Sequence, residues 1–258
     1  MKWTASNEFI KGMYYRVFYQ ITLCNDFIRE TTDDKLAQRG FSGDANIKAY
    51  RAEVRFLRAL SYWHGMDMFG NTPFATENDP LGVFYPTQTT RATLFAYIES
   101  ELKAVEALLP EPRTNEFGRV DKAAAWTLLA KLYLNAETHI GTNRATDCIT
   151  YCNKILAAGY TLEPKYENLF KIGNDASKEI IFALRFDGTR TKTWGGMTFL
   201  VHAPVGGTMK AADFGIGGGW AGLRKTKDFV GLFNNASAKI DTNDTRALFV
   251  PMCVSAFK

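Results

Sequence analysis

The chain has 258 residues and a formal net charge of +4 at pH 7. At about 150 residues per domain, it is long enough for one large or two small domains and can bury a core without disulfides or a metal. Its 46% hydrophobic and 22% charged fractions exclude a disordered or collagen-like chain, and its basic residues are too dispersed to indicate a nucleic-acid-binding face.

Apolar residues recur at helical spacing from the ninth residue, which predicts helix after helix to about residue 171. The predicted helices are Phe9–Glu30, Asp44–Phe69, Thr90–Leu109, Asp121–Glu137 and Asn143–Ala158. Thr90 and Asp121 are predicted N-caps, and Gly159 is predicted to occupy the left-handed position that follows the last helix.

The fourth predicted helix alternates small with large side chains. Its alanines are Ala123, Ala124, Ala125 and Ala130, and its large residues are Trp126, Leu129 and Tyr133. This alternation is typical of tetratricopeptide-type helix pairs, in which a neighbouring helix approaches closely. The strict 34-residue period is absent, so the prediction is a mainly α fold of irregular helix pairs. The short connector 138–142 predicts that the fourth and fifth helices are antiparallel.

The pattern changes to period two at Glu179, which predicts a strand with Ile180, Phe182, Leu184 and Phe186 on one side. A second strand is predicted over Ala247–Phe257. Between them, residues 188–222 carry ten glycines and two tryptophans. We therefore expect a helical scaffold over residues 1–171 and an incomplete, strand- and loop-rich ligand-binding portion over 172–258, the two forming one structural unit.

No enzymatic motif is supported. Cys148 and Cys152 are spaced i, i+4 in a helical pattern with no second pair at zinc spacing, which favours packing over a metal site. The three histidines are far apart in sequence, and no cofactor or metal is predicted. Glycosidase chemistry stays open at this point, because any two of the 27 acids could face a shared cleft.

Glu53 lies on the apolar face of the second predicted helix, across from a basic stripe that includes Arg58. A carboxylate on such a face needs a partner or a proton. A structural ion pair with an arginine such as Arg119 is favoured over a catalytic acid.

The second predicted helix contains the first of several sequence patterns that resemble those of a known family. Residues Glu53, Arg55, Phe56, Leu57, Arg58 and Ala59 fit an E-x-R-F-L-R-A pattern, and Phe69, Gly70 and Pro73 fit a following F-G-x-x-P turn. Both resemble the signature of the SusD/RagB family of outer-membrane nutrient-binding lipoproteins. Further matches keep the family's order at Gly118–Leu134, Gly159–Phe170, Glu179–Phe182 and Thr226–Arg246. The resemblance thus covers nearly the whole chain.

The resemblance implies a non-catalytic protein that captures glycans or oligopeptides on the outer-membrane surface of Gram-negative bacteria. Its implied partner is a TonB-dependent, SusC-like transporter, and membrane attachment would be through a lipid anchor alone. Members begin with a signal peptide and lipobox cysteine and continue past the end of this chain, so we expect a fragment. The alternatives are a tetratricopeptide-like interaction adaptor and, less favoured, a helical glycoside hydrolase.

Exposed aromatics in loops are the expected sugar contacts, because pyranose faces stack on aromatic rings and polar side chains bind the hydroxyls. The predicted ligand-binding residues are Trp194 and Trp220 in the glycine-rich region, then Tyr85 and Asn71 in the loop after the signature turn. Ordinary packing is the competing interpretation for each of them.

Overall fold

The computed structural model describes most of the chain. The described residues are 4–82, 85–171, 173–186, 189–191, 196–235, 237, 239–241, 243–244, 246–247 and 249. Trp194 and most of the strand predicted at 247–257 lie outside them. The chain divides into two compact units, Met1–Thr161 with Ile180–Ala183 and Leu162–Glu179 with Leu184–Lys258.

Unit 1 is helical. Its helices are α1 (Glu8–Glu30), α2 (Asp33–Gln38), α3 (Ala45–Phe69), α4 (Arg91–Glu106), α5 (Lys122–Leu134), α6 (Ala136–Ile140) and α7 (Ala145–Ala157). The predicted N-caps are confirmed: the Thr90 hydroxyl accepts a hydrogen bond from the Thr93 amide, and Asp121 caps α5 through the Ala124 amide. Gly159 has a φ of 79° and ends the run of helices.

The long helices pack in chain order, α1 on α3, α3 on α4, α4 on α5 and α5 on α7. Ala123 and Ala125 of α5 are fully buried, so small side chains permit the close approach that the alternation predicts. Large core residues, including Phe56, Met66 and Leu129, fill the space between the pairs. The predicted mainly α fold of tetratricopeptide-like helix pairs is confirmed.

Three local predictions need correction. Helix α2 was not predicted, and the connector expected at 138–142 contains most of α6. The strand predicted from Glu179 does not form. All four residues of Ile180–Ala183 are half-buried, so burial does not alternate along the segment as it would in a strand. Phe182 instead packs edge-to-face on Phe56 of the helical core, with ring centroids 5.6 Å apart. Burial against helices thus produced an apolar pattern that resembles a strand.

A buried polar cluster fixes the loop between α3 and α4, which contains β1 (Thr72–Pro73) and β2 (Gln88–Thr89) paired antiparallel. The Tyr62 hydroxyl donates to the Ala75 carbonyl at 2.6 Å and accepts from the Ala75 amide at 2.9 Å. Asn25 of α1 donates to the same carbonyl at 3.0 Å. Two helices therefore hold one end of the loop.

Unit 2 consists of loops and short helical turns in the part of the chain that the structure describes. It contains 3-10 turns at Tyr166–Phe170, Asn174–Ala176 and Ala211–Phe214, with helices α8 (Gly196–His202) and α9 (Lys227–Gly231). Asn234 and Ile240 form an isolated antiparallel bridge. The region is loop-rich as predicted, but its described residues form no longer strand.

His139 of α6 is a buried side chain with no hydrogen-bond partner among the described residues on either ring nitrogen. The charged groups that act on it are Asp67 of α3, whose Oδ1 is 3.9 Å from Nε2, and Arg91 of α4. Burial lowers the pKa of His139 below its ordinary 6.5; Asp67 opposes this shift and Arg91 adds to it.

This lowered pKa predicts a pH-dependent stability. The unfolded chain binds a proton on His139 more readily than the folded chain does, so the contribution is complete above pH 6.5 and is lost as the pH falls below it. His139→Gln should reduce the fall in unfolding free energy between about pH 7 and 5.5, by at most about 1.4 kcal/mol per pH unit. Urea titrations of both proteins across this range test it, and equal pH slopes would contradict it.

Candidate functional site

The glycine-rich segment of unit 2 pairs with the chain that leaves α8. The Trp220 amide donates to the His202 carbonyl at 2.9 Å, the Ala221 amide to the Val205 carbonyl at 2.9 Å, and the Gly222 amide to the Ala203 carbonyl at 2.8 Å. These bonds fix the backbone of Trp220 against the end of α8.

Two glycines make this close pairing possible. A Cβ on Gly219 would lie 2.7 Å from the carbonyl carbon of Val205, and a Cβ on Gly206 would lie 2.5 Å from the Cβ of Ala221. Real Cβ atoms do not approach so closely, so any side chain at either position would push the two segments apart.

The pairing creates an exposed aromatic surface, which we call the aromatic platform, formed by Trp220, His202 and Phe199. The Trp220 and His202 rings are stacked, with centroids 5.2 Å apart and an interplanar angle of 23°, and the Phe199 centroid is 6.3 Å from that of Trp220. Trp220 is 43% and Phe199 42% exposed. Flat, partly exposed rings of this kind suit the apolar face of a sugar.

A hydrogen bond sets the tautomer of His202. Its Nδ1 lies 2.8 Å from the carbonyl oxygen of Gly218, which can only accept, so Nδ1 carries the proton. In the neutral ring Nε2 is then an acceptor, which makes it suited to a sugar hydroxyl.

The other predicted ligand-binding residues lie elsewhere. Tyr85, in unit 1, is 86% exposed and has no ring contact among the described residues. The Asn71 side chain accepts a hydrogen bond from the Arg91 amide at 3.0 Å and so supports the first turn of α4. The described residues show no bond joining Tyr85 to Asn71. Trp194 lies outside the described residues.

Phe199 and His202 were missed by sequence reasoning. They precede Trp220 by about twenty residues in a region without a regular period, and a single histidine carries no local signal for stacking. The only available indication was the density of glycines and aromatics in 188–222, which predicted the region but not the partners of the tryptophan.

The residues expected to have structural roles lie in unit 1. Arg119 makes a two-pronged ion pair with Glu53, its Nε donating to Oε2 at 2.8 Å, and its guanidinium lies 4.9 Å from the centroid of the Tyr50 ring. The pair joins the start of α5 to α3. Arg58 is buried in a second ion cluster on α3.

Within the described ranges, no group of three or more His, Cys, Asp or Glu side chains is arranged to hold a metal ion. Helices in the same ranges are all too short or too polar to span a membrane.

The helical scaffold of unit 1 lies in the part of the chain that matches a known family. The profile of a SusD-like family, described as "Starch-binding associating with outer membrane", matches residues 2–134. The chain therefore belongs to the SusD-like family.

Individual relatives agree. The chain is 39% identical to the starch-binding protein SusD of Bacteroides thetaiotaomicron over 207 residues, 78% of this chain and 35% of that protein. It spans about a third of the length of the curated relatives it matches.

Solved structures share the fold. A SusD-like carbohydrate-binding protein from Bacteroides fragilis superposes with a TM-score of 0.70 at 22% identity, covering 93% of this chain and 43% of that one. The surface glycan-binding protein A of Bacteroides uniformis gives a TM-score of 0.57 at 25% identity, covering 68% of this chain and 38% of that one.

Proposed function

We propose that the chain binds oligosaccharides without catalysis, through the aromatic platform. The observation that carries this proposal is the exposed stack of Trp220 on His202, fixed by backbone hydrogen bonds and by glycines that admit no side chain. A surface built in advance of binding loses little entropy when the ligand arrives. A stacked pair with one imidazole acceptor that has no partner among the described residues offers both contacts that a pyranose ring needs.

The first ligand class to test is starch-derived α-glucan. The relative at 39% identity is named a starch-binding protein, and the matching family profile carries the same description. Both support the choice of a malto-oligosaccharide as probe.

Trp220→Ala should weaken malto-oligosaccharide binding roughly tenfold. A tenfold loss corresponds to about 1.4 kcal/mol, which is the size of the stacking energy that an aromatic ring can contribute. Isothermal titration of the wild type and variant measures this change. Phe214→Ala is the matched control, since Phe214 is also an exposed aromatic of unit 2, at 46%, and lies outside the platform. Equal losses in both variants, or none in Trp220→Ala, would argue against the platform.

The proposal also states that bound glycan is not cleaved. Incubation of the pure protein with malto-oligosaccharide should leave the substrate chain length unchanged when products are separated by chromatography. Release of shorter products would favour the glycoside hydrolase alternative.

We further infer that the full-length protein works at the outer-membrane surface with a TonB-dependent transporter of the SusC type. The family description, which places such proteins in association with the outer membrane, supports this inference. Co-purification of such a transporter with the chain from outer-membrane extracts tests it. Recovery of unrelated proteins without glycan binding would instead favour the interaction adaptor.

A further inference from the structure

A cavity lies in unit 2, in the segment between Leu162 and Glu179, and the described residues that line it include no aromatic side chain. It has a volume of about 260 Å³ and shares no residue with the aromatic platform. Its walls are formed by Glu163, Asn168, Lys171, Gly173, Asn174, Ala176 and Ser177. The volume is below the roughly 300–1,000 Å³ of typical ligand pockets, so it suits a ligand no larger than a single sugar ring.

Hydrogen bonds between residues of the segment hold the walls of the cavity in place. The carboxylate of Glu179 accepts a hydrogen bond from the backbone amide of Glu163 at 2.7 Å. The backbone amide of Glu179 donates to the Ser177 hydroxyl at 3.3 Å. One residue therefore ties both ends of the segment together. The 3-10 turns Tyr166–Phe170 and Asn174–Ala176 form the chain between these ends.

Among the described residues that line the cavity, Glu163, Asn168 and Asn174 carry side-chain carboxylate or amide oxygens. The side-chain amide of Asn168 donates a hydrogen bond to Glu163 Oε1 at 2.9 Å. The side-chain amide of Asn174 donates to the Leu169 carbonyl at 2.9 Å. Their Oδ1 atoms, and the second oxygen of Glu163, have no partner among the described residues. All three residues are half-buried and line the cavity.

This lining favours a neutral, hydroxyl-rich ligand. A free cation would be poorly held, because Glu163 is the one carboxylate among the described lining residues and Lys171 also lines the cavity. An anion would face the Glu163 carboxylate, while Lys171 is already paired with Glu167 at 2.5 Å. Sugar hydroxyls donate to carboxylate and amide oxygens, and a carboxylate can accept from two neighbouring hydroxyls at once.

We propose that this cavity is a second saccharide site, one that takes a single hexopyranose through its hydroxyl groups. It goes beyond the proposed function because it needs no aromatic stacking and binds a monosaccharide. Ala176, which is exposed at the wall, provides a way to fill the space without removing any polar contact.

Saturation-transfer NMR with D-glucose tests the proposal. We expect saturable binding in the millimolar range for the wild type and at least tenfold weaker binding for both Ala176→Phe and Glu163→Gln. Ala212→Phe, which adds the same bulk at an exposed alanine outside the cavity, should retain the wild-type signal. Melting curves establish that the variants are folded, and Ala176→Phe keeps the test decisive if Glu163→Gln is not.

The proposal is overturned if glucose, galactose and mannose all fail to give a saturable signal, or if both cavity variants bind like the wild type. Calcium binding that is measured without sugar and is lost in both cavity variants would also overturn it, because the cavity would then be a cation site. The malto-oligosaccharide titration of Trp220→Ala reports on the platform separately. Failure of one site is therefore distinguishable from failure of the other.

Discussion

Arg58→Leu is expected to lower the free energy of unfolding by about 3–5 kcal/mol, because it removes one partner from a buried ion cluster. The Arg58 side chain is only 3% exposed. It donates to Asn25 Oδ1 at 2.7 Å and to Glu101 Oε2 at 3.1 Å, pairs with Glu77, and lies 5.7 Å from the centroid of the Tyr97 ring.

The size of this loss comes from the carboxylates of Glu101 and Glu77, which lose an ion-pair partner in the variant. Burial alone would raise the pKa of Glu101, but hydrogen bonds and charges from Arg55 and Arg58 outweigh it and lower that pKa. Without Arg58, Glu101 keeps only the two-pronged pair with Arg55, at 2.7 and 3.0 Å, and Glu77 loses its buried partner. Glu77, whose side chain is 27% exposed, is the carboxylate left without its charge partner, and a partly buried unpaired carboxylate costs more than an exposed one.

The measurement is urea unfolding followed by far-UV circular dichroism, which reports on the helices of unit 1. Arg39→Leu is the matched control, since Arg39 also pairs with a glutamate, Glu30, but its side chain is 50% exposed. It should lose less than about 1 kcal/mol. If Arg58→Leu loses no more than this control, the cluster does not stabilise the fold in the way its burial suggests.

The arginine cluster also shows how far the sequence predicts the fold. The long helices of unit 1 follow from local signals, namely apolar spacing and capping residues such as Thr90 and Asp121, and these act within a few residues of each other. The short helices α2 and α6 do not. The partner of Glu53 followed from a simple rule about buried charge. The partners of Arg58 come from three separate elements, and no local spacing joins them.

Tertiary packing accounts for what the sequence did not predict. Phe182 lies in a segment with strand-like alternation, yet its ring packs on the helical core and no strand pairs with it among the described residues. The sequence predicts Trp220 as a ligand contact but not its neighbours Phe199 and His202, because these two rings reach Trp220 only through the pairing of the backbone segments. Sites built by loop pairing leave no period in the sequence, because each contact joins residues that are distant along the chain.

The pairing of those loops leads to the second large effect. Gly219→Ala should reduce malto-oligosaccharide binding at least tenfold, as much as loss of the tryptophan itself, although it removes no ligand contact. The added Cβ would collide with the carbonyl group of Val205, which is backbone and cannot rotate away. The segments must separate, and Trp220 then loses the hydrogen bond to His202 and its stack on that ring.

Gly217→Ala provides the matched control. A Cβ on Gly217 meets nothing within 4 Å, so the same substitution two residues earlier should leave affinity unchanged. The indole N–H resonance of Trp220 can be assigned by NMR as the one that is present in the wild-type spectrum and missing from that of Trp220→Ala. That resonance should shift in Gly219→Ala and keep its position in Gly217→Ala. Wild-type affinity in Gly219→Ala would mean that the pairing of the two segments is not what presents Trp220 to the glycan.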